Sequence, residues 1–186
     1  MTSRIKLLIS AISLIATGTT AYVAYLRTNV NAQVHEANVA IATAMEAAAS
    51  ARAKAREVDA LLNERAFKSE RAKLTTAARE TSRLYGEAAV SFRLALGKVT
   101  AAIQASDTNA GRTYFGMRLE SLEKRVETAE AAQEGYAVAA DESITDLANL
   151  RARMEPFAVR AETARAEAKR LATEAETFRN QHQDEF

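Results

Sequence analysis

Apolar residues recur seven apart in two adjacent rows from Val30 to Phe178, and a chain patterned in this way is committed to long helices that bury one seam. The first row is Val30, Ala37, Ala44, Ala51 and Val58, with Val34, Ile41, Ala48, Ala55 and Leu62 beside it. After a phase slip between Leu62 and Phe67 the rows resume as Leu74, Thr81, Ala88, Ala95 and Ala102, with Ala78, Tyr85, Phe92 and Val99. Further on, every seventh residue from Leu122 through Tyr136, Leu150 and Phe157 to Phe178 runs beside every seventh from Leu119 through Val126, Leu147 and Met154 to Ala175. Rows offset by three and four over so many heptads specify a coiled-coil seam rather than the broader stripe of a globular helix. The outer faces carry pairs such as Glu120 and Lys124, which read as a solvated surface.

Composition agrees. The 186 residues hold one proline (Pro156), six glycines, no tryptophan and near-balanced charge, 25 basic residues against 24 acidic. Abundant alanine favours helix but buries little area per residue, so a thick core is not expected and association is: either two hairpins forming a four-helix bundle, or a hairpin laid on a larger assembly. Interspersed, neutral charge gives no basic stripe for nucleic acid. The absence of cysteine excludes disulfides, thiolate chemistry and cysteine-bound metals.

The one cluster of turn formers within the rod is Ser106 to Thr113 (SDTNAGRT), with Thr113 placed to cap a second helix. The sequence therefore predicts an all-α chain: an anchor at 1–26, a first long helix at 27–105, a turn at 106–113, and a second long helix with a short polar tail at 114–186. The two long helices are expected to form an antiparallel coiled-coil hairpin. A bend at Asn109 sets His35 against His182, Val58 against Arg160 and Phe92 against Val126. It also places the phase slip opposite Pro156, whose ring disturbs its own helix. Such a rod would reach about 100–120 Å. The rival arrangement is one continuous or twice-bent helix that pairs only with other chains.

Leu7 to Leu26 is a run of twenty residues without a charge, the length a membrane helix needs. Arg4 and Lys6 flank one end and Arg27 the other, with Tyr22 and Tyr25 at the interface. Arg4, Lys6 and the amino terminus outweigh Arg27 and His35, so the N-terminus is expected in the cytoplasm and the rod outside it, in the periplasm or its equivalent. The rival reading is a signal peptide cleaved near Val30-Asn31-Ala32. Ser10, Ser13, Thr17, Ala21 and Ala24 give the anchor a face of small residues, a candidate surface for another membrane helix.

No phosphate-binding loop, dinucleotide fingerprint, nucleophile elbow or zinc-protease motif occurs. A two-helix rod offers no concave site, so no cofactor, metal or small-molecule substrate is expected. His35 and His182, near Glu36, Asp184 and Glu185 at the base of the hairpin, read as solvated histidines. Tyr114, Phe115 and Met117 beside the turn are candidates either to dock a partner or to close the end of the coil.

These features point to a non-enzymatic, membrane-anchored spacer, tether or scaffold subunit. Its expected partners are membrane lipid and protein subunits, as a homo-oligomer or within a larger envelope complex. The run Thr113 to Glu127 (TYFGMRLESLEKRVE) resembles the aromatic–arginine segments of phage inner-membrane spanins, and Ala161–Arg179 is similar to the helices of peripheral-stalk b subunits of ATP synthases. Both likenesses are of architecture and composition, and they imply a lysis tether or a stalk. A sensory helical-bundle module is the further alternative.

Overall fold

The computed structural model describes residues 2–185, with side chains from Asn29 onward. The chain is all-α. Its helices are α1 (Thr2–Leu61), α2 (Glu64–Ser69), α3 (Arg71–Ala105), α4 (Asn109–Ala139) and α5 (Leu147–Gln181), followed by a short 3-10 turn at Gln183–Glu185. No strand occurs among the described residues.

The expected hairpin of two long helices is replaced by a bundle with three reversals. One reversal falls at 62–70 around the short α2, one at 106–108, and one at 140–146. Neighbours in sequence pack side by side, α1 on α3, α3 on α4 and α4 on α5. The antiparallel register is marked by cross-helix contacts. Lys98 pairs with Glu36 at 2.7 Å and Lys54 with Glu80 at 2.9 Å. Ser82 Oγ donates to the Gln133 carbonyl at 2.9 Å, and Arg160 meets Glu134 at 2.9 Å. Being exposed, these ion pairs fix direction more than they add stability. Phe92 and Val126 do share a cluster, as the hairpin rule requires. Val58 does not face Arg160: it packs in the cluster that holds Leu147 and Leu150.

With helices of 31 to 35 residues, the bundle is roughly 50 Å tall, not 100–120 Å. The predicted turn near Asn109 exists, but it lies at the same end as residues 30–36 and the C-terminus rather than at a distant tip.

Each reversal has a local cause. Asn63 accepts from the Ala66 amide at 3.0 Å and caps α2, which buries Phe67 under the Arg71 guanidinium. Thr108, rather than Thr113, caps α4 by accepting from the Gly111 amide at 2.9 Å. A β-carbon at Gly111 would run into the Ser106 hydroxyl, so the tight turn needs glycine there. Asp141 accepts from both the amide and the hydroxyl of Ser143, at 3.0 and 2.6 Å, which holds its carboxyl below the usual range. Asp146 then caps α5 through the Asn149 amide at 2.7 Å, and Ile144 plugs the bundle end between them. Pro156 lies inside α5 and does not end it.

The core is thin and largely alanine. Ala37, Ala44, Ala51, Val58, Leu74, Thr81, Ala88, Ala95 and Ala102 are each fully excluded from solvent. Two buried clusters divide it. One holds Ala37, Ile41, Phe92 and Tyr114 toward the chain-terminal end, and the other holds Val58, Leu74, Ile144 and Leu150 at the opposite end.

Candidate functional site

Between Leu150 and Ala164, α5 buries no residue, although the apolar row continues there through Phe157. The cause is geometric. α1 and α5 flank the bundle without the extended contact that joins the other neighbours, and a cleft of about 570 Å³ opens between them. Concave space was not expected from a two-helix rod; it exists because the chain folds into four long helices.

Each wall mixes heptad-row residues with positions beside the rows. α1 contributes Ala48, Arg52 and Asp59; α3 contributes Tyr85 and Phe92; α4 contributes Arg125, Ala132 and Tyr136; α5 contributes Phe157, Ala161, Arg165 and Lys169. Tyr85 and Tyr136 stack with centroids 5.7 Å apart and rings 5° from parallel, forming an aromatic floor. Burial raises both phenols above their ordinary value. The Tyr136 hydroxyl reaches Asp59 Oδ1 at 3.5 Å, while burial pushes the Asp59 carboxyl above its usual range. The alanines keep the cleft open, since any larger side chain at Ala132 or Ala161 would project into it.

The charges are unbalanced. Four cations (Arg52, Arg125, Arg165 and Lys169) line the space against two carboxylates, Asp59 and Glu162. Arg165 meets Glu162 at 3.4 Å. Arg52 donates only to the Ala48 carbonyl, and among the described residues neither Arg52, Arg125 nor Lys169 forms an ion pair. Arg125 is half-buried, and its guanidinium is lowered first by burial and then by repulsion from Arg118 and Arg52. Chains seldom leave such a group without an anion.

The residues singled out from sequence lie elsewhere. Tyr114 and Phe115 are buried at the chain-terminal end of the bundle, edge to face at 5.0 Å, with Arg118 and Arg179 beside the Tyr114 ring; Met117 packs on the same cluster. Their side chains close the bundle end. His182 stacks on Phe178 at 4.3 Å and bonds Glu185 at 2.8 Å. No group of three or more potential metal ligands occurs among the described residues. Ser10, Ser13, Thr17, Ala21 and Ala24 lie outside the residues described with their side chains. The expected anchor at 7–26 lies outside them too, and among the residues that are described no helix is long and apolar enough to cross a membrane. The signal for the cleft was present as Arg52 and Arg125, cations flanked by seam positions, but without a third reversal they read as solvated surface.

The chain matches no protein-family model, no curated protein and no solved structure.

Proposed function

We propose that the protein is a single-pass membrane protein whose helical bundle is a non-enzymatic scaffold or binding head, held against the bilayer on its extracytoplasmic side. The observation that carries this reading is that one helix, α1 (Thr2–Leu61), takes in both the charge-free run Leu7–Leu26 and the first helix of the bundle. With no linker between them, an anchor of about twenty residues would seat the bundle directly on the membrane surface. The α3–α4 turn and the C-terminus would then face the membrane, and the reversals at 62–70 and 140–146 would face away. A head roughly 50 Å tall suits a subunit that works close to the bilayer better than a tether to a distant layer. The spanin-like and stalk-like alternatives rest on likenesses of architecture and composition, and a short head suits them less well than a long rod would. The cleft favours the sensory-module alternative as the second reading, because a pure spacer has no use for a cavity lined with unpaired cations. The small-residue face from Ser10 to Ala24 would serve a neighbouring membrane helix, and further copies or other subunits would pack on the bundle.

Fractionation tests the anchor. The full chain should pellet with membranes and resist a high-salt wash, whereas residues 27–186 should stay in the supernatant with strong helical circular dichroism. A truncated chain that still pellets would overturn the single anchor. Orientation is read by a thiol probe at Asp107, which is exposed. With no native cysteine to interfere, Asp107→Cys should react with a membrane-impermeant maleimide in intact cells or spheroplasts. Labelling only after lysis would place the bundle in the cytoplasm.

A further inference from the structure

We propose that the cleft between α1 and α5 binds a small organic anion with an apolar body, of which an aromatic carboxylate is the type. Size, lining and charge point the same way. A volume of about 570 Å³ falls within the range of pockets that enclose a small molecule. The floor is the stacked pair Tyr85 and Tyr136, and Phe157 stands on the α5 side. A flat apolar body laid on those rings gains offset or edge contacts that an acyl chain cannot match.

The anion is called for by the cations. Arg125, Arg165 and Lys169 come together because α4 and α5 run antiparallel here, as shown by Lys124 meeting Glu167 at 3.3 Å and by Ser121 donating to the Ala168 carbonyl at 2.8 Å. Arg125 and Tyr136 are eleven residues apart on α4, which is roughly 16 Å along the axis. The cations thus span the cleft, and Arg52 and Arg165 lie close enough to the aromatic floor to act on the Tyr85 phenol. Arg125 has no acidic partner among the described residues, is half-buried, and is repelled by Arg118 and Arg52. Only Arg165 is offset by a carboxylate, that of Glu162. A planar carboxylate would supply the missing acceptor and suits a guanidinium fork better than a point charge does.

A small molecule fits better than a partner helix because buried apolar residues of α1 and α5 share a cluster beyond each end of the cleft. At the chain-terminal end Ala175 of α5 joins the cluster of Ala37 and Ile41 of α1, and at the other end Leu150 joins that of Val58. A helix would need a groove running the length of the bundle.

The test is calorimetric titration of the full chain in nanodiscs of zwitterionic lipid, with empty discs as the blank. The probes are 2-naphthoate, its neutral analogue 2-naphthamide, and decanoate. The expected result is saturable binding of one naphthoate per chain, with the amide weaker by about ten-fold or more, since a charge-assisted pair is lost. Arg125→Met, which keeps the volume and removes the charge, should weaken naphthoate by about ten-fold or more without lowering the unfolding midpoint. Ala161→Trp should abolish binding by filling the space while helicity is retained. Equal binding of acid and amide, unchanged affinity in Arg125→Met, or no saturable signal at millimolar naphthoate would each overturn the proposal. A preference for decanoate would overturn the aromatic body and leave the anion. The site does not rest on the membrane reading: a chain that binds naphthoate yet stays in the supernatant would sink the anchor and not the cleft.

Discussion

Leu150→Ala is expected to lower the stability of the fold by about 3 kcal/mol, and Phe157→Ala, one heptad further along the same row, by only about 1 kcal/mol. Leu150 is fully excluded from solvent and packs in the cluster of Val58, Leu74 and Leu147. Removing three carbons there leaves a void that the neighbouring helices cannot collapse to fill, so a cavity cost is added to the lost transfer energy. Phe157 is the larger residue, but one side of its ring faces the cleft, and its charged neighbour Arg160 lies 5.9 Å from the ring centroid. Truncating it widens a space that already exists. In a continuous two-helix seam the order would be reversed, because a seam phenylalanine buries more area than a leucine and costs more to remove. Denaturant unfolding of the two variants against the parent reads the difference. Equal losses, or a larger loss for Phe157→Ala, would mean that α5 packs along its whole length and that the cleft does not exist.

The same pair of residues marks what the sequence carried and where it misled. The rows themselves were legible. Ala37 through Val58 and Leu74 through Ala102 are the residues the fold buries most completely, as heptad spacing requires when one face of each helix is apolar. The slip between Leu62 and Phe67 was visible too. It marks a reversal rather than a defect, because Asn63 and Phe67 build a short capped helix without glycine or proline. The third reversal was hidden by arithmetic. Residues 140–146 between α4 and α5 are seven in number, one heptad, so Tyr136 and Leu150 stay in phase across a loop as they would along a helix. Only the local chemistry gives it away: Asp141 bonding Ser143, and Asp146 set as a cap before Leu147. Pro156 is a false marker of a break, since a helix interior is a poor place for proline, yet the chain breaks before it and not at it. The cleft depends on α1 and α5 lying on either side of the bundle. That relation follows from the number of reversals and from no local pattern, so nothing local in the sequence distinguishes Arg52 and Arg125 from surface residues.

Spin labels at His35 and Asp107 should lie within roughly 25 Å of each other, and this distance decides between the bundle and the long hairpin by the widest margin. Both positions are exposed and tolerate a label. In the bundle, Glu36 pairs with Lys98 at 2.7 Å, and α3 continues only to Ala105 before the turn. Asp107 is therefore about two helical turns, on the order of 10–15 Å, beyond the contact that holds His35. In a hairpin whose first helix ran unbroken to residue 105, the same positions would be separated by about 105 Å of helical rise. No uncertainty in helix ends or label rotamers spans that gap. The labelled chain is diluted with unlabelled protein so that contacts between copies drop out. A short distance that survives dilution requires the reversal at 62–70 within one chain. A short distance that vanishes on dilution would mean that the helices meet only between chains, and the absence of any short distance would restore the long rod. Either of the last two results would remove the cleft as well, because α1 and α5 flank a common cavity only if the chain has turned back before α3.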